Sequence, residues 1–402
     1  MNDLRPEPTR STRALHACAI GVALLLCCTP FALAQGPGQG AAPASLPQAS
    51  SEDEKGQSTY DKIWTFTQWY KNDSNPVVQQ VLFSGRYQHE FTTLHSEEGD
   101  VDEWNVRRMR LGPKITLFRT WTLHGEVELN PQERDPLYVR FTDLYLQWSR
   151  SGRLAVTVGK HGVPFTMDGA TSSKELLAID RGNLTNNIWF PYEYIPGVSV
   201  SGKASPWMYR VGVYSAGAET REFGEFSGGA FGLGVLGYDF GKSLGVKEAL
   251  LAANYVYQEP DSRNSFTRQL EQVVSVNFKL EAGAWGLRTD VSTATGYLGQ
   301  SDLWGVMALP FVNLTPKLQL IGRYTFIESD DVNGVRLGTY ENRTVSGRGD
   351  RYNELYLGAN YFFYDHKLKL QSGVQMADMR DRAGDGGAYS GTSWTTGLRI
   401  GW

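Results

Sequence analysis

The sequence predicts an all-β protein, a transmembrane antiparallel β-barrel of about 16 strands, and three observations carry that expectation. Apolar and polar residues alternate with a period of two in segments of about ten residues along most of the 402-residue chain. Aromatic residues and glycine are abundant, with 11 Trp, 20 Tyr, 18 Phe and 44 Gly. The chain also ends on an alternating strand, Trp394, Thr396, Leu398, Ile400 and Trp402 on one face and Arg399 on the other. A barrel strand turns only half of its side chains to lipid, so such a chain need not look apolar on average.

The first residues are read as a leader. Arg5, Arg10 and Arg13 precede an apolar run at 14–28, and Ala32, Leu33 and Ala34 form a cleavage site, so 1–34 is expected to be a signal peptide that directs export. All three cysteines (Cys18, Cys27, Cys28) fall inside it, which leaves the rest without a disulfide or a thiolate metal site. Beyond it no run of eighteen apolar residues occurs, so no transmembrane helix is expected. The formal net charge of −4 offers no general attraction for nucleic acid.

Residues 35–58 are rich in Gly, Ala, Pro and Ser and read as a flexible periplasmic tail. At 59–79 the spacing of Ile63, Phe66 and Tyr70 predicts a short helical segment closing at Asn75 and Pro76, although Trp64, Phe66, Gln68 and Tyr70 also fit a strand. The barrel is expected over 80–402. Its first strand sets Val81, Phe83, Gly85, Tyr87 and Phe91 against Ser84, Arg86, Gln88 and Glu90. The second, after an acidic loop, sets Met109, Leu111, Ile115 and Leu117 against Arg108, Arg110 and Lys114. Trp121, Leu123, Val127 and Leu129 oppose His124, Glu126 and Glu128 in the third; Leu144, Leu146 and Trp148 alternate in the fourth; Leu154, Val156 and Val158 in the fifth. The period then fails across 159–197, where charges of both signs appear, and this third long loop is expected to fold inward and constrict the pore. Alternation returns at Val198 and persists to the end. Long and short connections alternate, as they do when one rim carries extracellular loops and the other periplasmic turns.

Several segments resemble the phosphate-selective porin O and P family of outer-membrane porins: WYKNDSNP at 69–76, FSGRYQHEF at 83–91, RRMRLGPKITLF at 107–118, FTDLYLQW at 141–148, and VGKHGVPF with SSKELLAIDRG within 158–182. The resemblance implies a 16-stranded homotrimeric barrel in the outer membrane, surrounded by lipid and lipopolysaccharide. It also implies an inward third loop, and passage of small anionic solutes such as phosphate or pyrophosphate along lumenal Arg and Lys. From the residues themselves, neither a cofactor nor a bound metal is expected.

Fixed charge at a constriction sets selectivity in an aqueous pore. The candidate anion pathway comprises Arg86, Arg108, Arg110 and Lys114 on the first strands, Lys160, Lys174 and Arg181 in the loop, and Arg210, Arg288 and Arg323 on later strands. The competing reading is that these cations brace the wall against Glu90, Glu126, Glu128, Asp143 and Asp290. Asp168, Glu175 and Asp180 accompany the loop cations, so a weak rather than a purely basic filter is expected. The histidines are scattered without metal-ligand spacing, the RGD tripeptide at 348–350 reads as chance, and Asp378, Asp381 and Asp385 read as a solvated loop. A water-filled, weakly anion-selective channel without enzymatic activity is therefore expected. The alternatives are an outer-membrane barrel hydrolase and a soluble all-β carbohydrate-binding protein.

Overall fold

The computed structural model describes residues 58–133, 135–217, 222 and 229–402. The expected leader and all of the expected tail except Ser58 lie outside them. The chain divides into two units, one ending at Phe66 and the other running from Thr67 to Trp402. In the first, α1 (Thr59–Trp64) starts at a capping box: the Ser58 side chain accepts from Asp61 N, and the Asp61 carboxylate accepts from Ser58 N, each at 3.1 Å. The helix is shorter than the spacing at 59–79 suggests, because Gln68–Lys71 takes the alternative strand pattern and forms β1.

The strands that follow are β2 (Val78–Ser96), β3 (Gly99–Leu117), β4 (Trp121–Leu129), β5 (Tyr138–Ser151), β6 (Leu154–Gly162), β7 (Tyr194–Ala204), β8 (Trp207–Ser215) and β9 (Ala230–Asp239). Then come β10 (Glu248–Gln258), β11 (Leu270–Ala282), β12 (Trp285–Gly296), β13 (Leu303–Asn313), β14 (Leu318–Ser329), β15 (Arg351–Tyr364), β16 (Leu368–Arg380) and β17 (Tyr389–Gly401). Each pairs antiparallel with the next, and β17 returns to β2 from Gly391↔Ser96 to Gly401↔Arg86, so β2 to β17 close a 16-stranded barrel. Closure leaves no unpaired edge, which lipid would otherwise penalise because it offers backbone groups no hydrogen bonds. β1 pairs with β2 at Gln68↔Leu82 and Lys71↔Gln80, prolonging the edge of β2 beyond the end of β17. There Trp69 stacks on Phe83 at 5.0 Å and Phe83 on Trp402 at 6.0 Å.

Period two assigns each residue a face. On β2, Arg86, Gln88, Glu90 and Thr92 are buried, while β3 and β4 expose Trp104, Trp121 and Leu123 outward. Outward aromatics gather at both ends of the strands, Trp121, Trp207, Trp285 and Phe363 by the tight turns, Trp104, Tyr138 and Tyr257 by the other rim, as expected of interfacial girdles. The acidic segment after β2 is not a loop: both strands run on to Ser96 and Gly99, and each is 19 residues long.

One feature departs from a lumen that is polar all round. Near the rim opposite the tight turns, β9 to β17 turn apolar side chains inward, among them Phe231, Val273, Leu303, Met307 and Tyr352. These form a single cluster with Leu184, Ile188, Trp189 and Phe190 of the connection between β6 and β7.

Candidate functional site

That connection spans 163–193 and contains α2 (Asn183–Ile188). At 176–180 it is neither helix nor strand, so its carbonyls need donors from elsewhere. Inward-facing wall residues supply them. Lys369 Nζ donates to Leu176 O at 2.7 Å, Asn360 and Gln371 donate to Leu177 O at 2.9 and 2.8 Å, Arg399 to Ile179 O at 3.1 Å, and Arg323 to Asp180 O at 2.6 Å. On the β2 side Arg86 and Gln88 donate to Ser173 Oγ and O at 2.6 and 2.8 Å. From β12, Asp290 accepts from Met167 N at 2.6 Å. Close approach matters as well: a Cβ on Gly182 would stand 2.5 Å from Met307 Sδ, so a side chain there would require the Met307 side chain to shift.

Glu193, at the end of the connection, is its electrostatic hub. Its carboxylate lies 2.7 Å from Arg181 and 3.7 Å from both Arg108 and Arg110. Burial alone would raise this carboxyl, but the guanidiniums of Arg181, Arg108 and Arg110 hold it well below the usual range. Arg107 reaches Asp180 at 3.3 Å. Beside these groups lies a cavity of about 230 Å³, where Arg107, Arg108, Arg140 and Arg181 face Asp180, Glu193, Glu341 and Glu354. A second cavity of about 460 Å³ is lined by Lys203, Arg210 and Lys279 against the single carboxylate of Glu248. A third, of about 570 Å³, is lined by Arg288 and Lys247 against Glu281 and Asp365, with His366 beside them.

The sequence-derived cations are distributed as follows. Arg86 pairs with Glu126 at 3.3 Å, Arg110 with Glu128 at 2.9 Å and Arg323 with Glu354 at 2.6 Å, so these three brace the wall. Arg108 and Arg181 stand at the first cavity on Glu193. Lys174 donates to the main-chain oxygen of Trp402 at 2.5 Å. Lys114 is exposed; among the described residues neither it nor Arg210 nor Arg288 forms an ion pair. Lys160 lies in β6 rather than in the loop, paired with Leu144 and Pro196 on the face of Val158, and it reaches Glu222 at 3.0 Å. That is the outward side. Gly159, at φ +119°, precedes it; a Cβ there would meet Leu144 O at 2.4 Å.

Sequence reasoning missed Arg107 and Glu193. β2 and β3 shift register between Gln88 and His89, a bulge that adds Arg107 to the residues reaching the connection; Glu193 lacks any local signal. The structure also brings His161 Nε2 within 2.9 Å of Ser199 Oγ, but both are buried in the wall. In the RGD tripeptide Asp350 is fully buried and bonded to Arg380 and Arg382. Asp381 accepts from Gly384 N at 2.9 Å and Gly387 N at 2.9 Å, so it ties its own loop.

Glu341 makes the first cavity sensitive to pH. Its carboxylate, 2 % exposed, accepts from Tyr352 Oη and Gln375 Nε2 at 2.7 Å and from Gly338 N at 2.6 Å. Burial, and then the neighbouring charge of Glu354, pushes it up to about 7. Below that pH it is protonated and the cavity carries one negative charge fewer. Anion preference in single-channel reversal potentials is therefore expected to rise between pH 8 and pH 6, and Glu341→Gln is expected to flatten the dependence; an equal slope in the variant would assign it to another group.

Residues 81–234 match the family described as phosphate-selective porin O and P, the family that the sequence motifs resemble. No curated protein sequence matches the chain significantly. Among solved structures, an anion-selective porin from Comamonas acidovorans is similar at a TM-score of 0.58 and 11% identity, over 80% of this chain and 99% of that one. Salmonella typhi OmpF, in complex with daunomycin, is similar at 0.57 and 10%, over 83% and 100%. The outer membrane channel DcaP of Acinetobacter baumannii is similar at 0.53 and 13%, over 83% and 99%. At these identities the likeness is one of fold. Family match and fold agree on an outer-membrane barrel of the porin type.

Proposed function

We propose that the chain is a non-enzymatic outer-membrane porin through which small solutes diffuse, with a weak preference for anions, phosphate among them. The connection 163–193 narrows the lumen, and solute passes beside it from the cavity at Glu193 to those lined by Arg210, Lys279 and Arg288. The observation that carries this reading is the change in charge balance along that path. Four guanidiniums oppose four carboxylates in the first cavity, whereas in the second three cations meet a single carboxylate. A balanced constriction followed by a cationic chamber favours anions without excluding cations. Oily residues outward and closure of the sheet fit residence among lipid and lipopolysaccharide, and assembly as a homotrimer follows the family likeness.

Planar bilayers tested under a potassium chloride gradient are expected to give reversal potentials on the anion side. Arg210→Gln with Arg288→Gln is expected to move them towards zero. A cation-side potential for the unmodified protein would overturn the reading. Among the described residues the barrel-hydrolase alternative has the His161 and Ser199 contact to draw on, and both side chains are buried within the wall rather than presented to an outer-surface lipid.

A further inference from the structure

The connection between β14 and β15 also enters the lumen. Val335 and Gly349 exchange backbone hydrogen bonds at 2.9 and 3.0 Å, and this neck closes a loop, 336–348, that turns inward. Apolar contacts hold its flanks: Val335, Leu337 and Val345 join the cluster around Leu184 and Ile188 of α2. The backbone of Arg336 is clamped to the same helix, its N donating to Asn187 Oδ1 at 2.8 Å and its O accepting from Asn183 and Asn187 at 2.8 and 3.0 Å. The loop and the connection between β6 and β7 are thus fastened to each other. On the near wall Glu341 accepts from Tyr352 on β15 and from Gln375 on β16.

The tip of the loop goes further round, to β2 and β3. Tyr340 Oη donates to Glu90 Oε1 on β2 at 2.5 Å and accepts from Asn105 Nδ2 on β3 at 3.3 Å, and Arg343 reaches Glu103 on β3 at 3.2 Å. Glu90 lies well down β2 from its end at Ser96, roughly 20 Å along the strand at the usual rise per residue. Tyr340 therefore sits deep inside the rim. Two cavities adjoin at this tip. The first, described above, has Gly338, Thr339, Tyr340 and Glu341 in its lining. Another, of about 290 Å³, is lined by Arg343, Glu103 and Asn105 and by Asn130 and Gln132 of the connection between β4 and β5, which places it towards the rim. Arg107, Arg108, Arg140 and Glu193 line both, so the two are successive parts of one passage.

We propose that loop 336–348 is the second wall of the constriction and that the Tyr340 ring sets the size of the largest solute that passes. Solute enters between Arg343 and the strands β3 to β5, then goes by Tyr340 into the first cavity. The proposal rests on the porin reading above and adds to it a route and a size limit. Tyr340 suits the role because its ring is tethered at both ends, by the backbone on one side and by the hydroxyl on the other. The tether itself is fixed: Glu90 is 1 % exposed and also pairs with Arg399. That second partner keeps the carboxylate satisfied when the tyrosine hydroxyl is removed, so substitution at 340 leaves no orphaned charge.

Two measurements test it. In liposome swelling with sugars of increasing size, Tyr340→Ala is expected to move the size limit up by about one sugar unit, because pore diameter decides what passes. Tyr340→Phe keeps the ring and is expected to keep the limit of the unmodified protein. The second measurement works on the folded channel in a planar bilayer. Thr339 is exposed within the first cavity, whereas Val332 is exposed on the same connection and lines neither cavity. A neutral methanethiosulfonate reagent is expected to remove roughly half of the single-channel current of Thr339→Cys, by narrowing the passage, and to leave that of Val332→Cys as it was. An unchanged current after complete modification of Thr339→Cys, an equal block of Val332→Cys, or one size limit for Tyr340→Ala and the unmodified protein would each overturn the proposal and leave the porin reading standing. An unmodified protein that passes neither ions nor sugars would overturn the porin reading itself.

Discussion

An Arg323→Met variant is expected to lose about 3–5 kcal/mol of folding stability, the cost of leaving a buried carboxylate without its partner. Arg323 and Glu354 are each 2 % exposed and meet at 2.6 Å. The same guanidinium donates to Asp180 O and to Gln375 Oε1, and stacks over the Tyr356 ring at 5.1 Å. With it gone, Glu354 stays in a site that already holds Glu341, the two joined through the Tyr352 hydroxyl. Urea unfolding in detergent, followed by tryptophan fluorescence, should show the loss. Adding Glu354→Gln to the variant should return more than half of it, because the orphaned charge is then neutral. A single variant as stable as the unmodified protein would mean that the pair does not hold the wall and the connection together.

The same arrangement explains how a long irregular segment keeps one position. Lys369, Arg399 and Arg323 each present a cation to a main-chain oxygen between 176 and 180, a charge-assisted bond stronger than a neutral one. The wall arginines that sequence reasoning weighed as either solute track or braces divide between the roles. Those facing β4, β15 and the chain's own carbonyls brace, Arg110 among them; Arg108, which also faces Glu193, borders the first cavity.

The strands were legible because a period of two fixes faces independently of anything distant. Arg86, Gln88 and Glu90 opposite Phe83 and Tyr87 needed no tertiary information. Lys160 was not legible. Gly159 lets β6 keep pairing where composition suggests a loop, so a residue counted with the constriction lies on the outward face. Arg107 was hidden by a bulge, which breaks the parity that alternation relies on. The inward apolar cluster of Leu303, Met307 and Tyr352 was equally hidden: its partners, Leu184 and Ile188, are more than a hundred residues away, and alternation reports polarity without naming what a face meets.

Glu193→Gln is expected to shift selectivity strongly towards anions, converting the weak preference proposed above into a strong one. One carboxylate balances Arg181, Arg108 and Arg110, and glutamine keeps its size while removing its charge. A unit charge about 6 Å from a passing ion, at an effective dielectric constant of about 60, is worth about 1 kcal/mol. That corresponds to roughly fivefold in the occupancy of one ion, and it acts in opposite directions on chloride and potassium. The permeability ratio is thus expected to shift by roughly five- to twentyfold at low salt and by much less at 1 M, where screening shortens to about 3 Å. Stability is expected to fall as well, because the three guanidiniums then repel across the cavity, so the variant must first be shown to keep its folded, heat-modifiable form. A folded variant with an unchanged reversal potential would place the ion path away from Glu193, and with it the constriction assigned to the connection between β6 and β7.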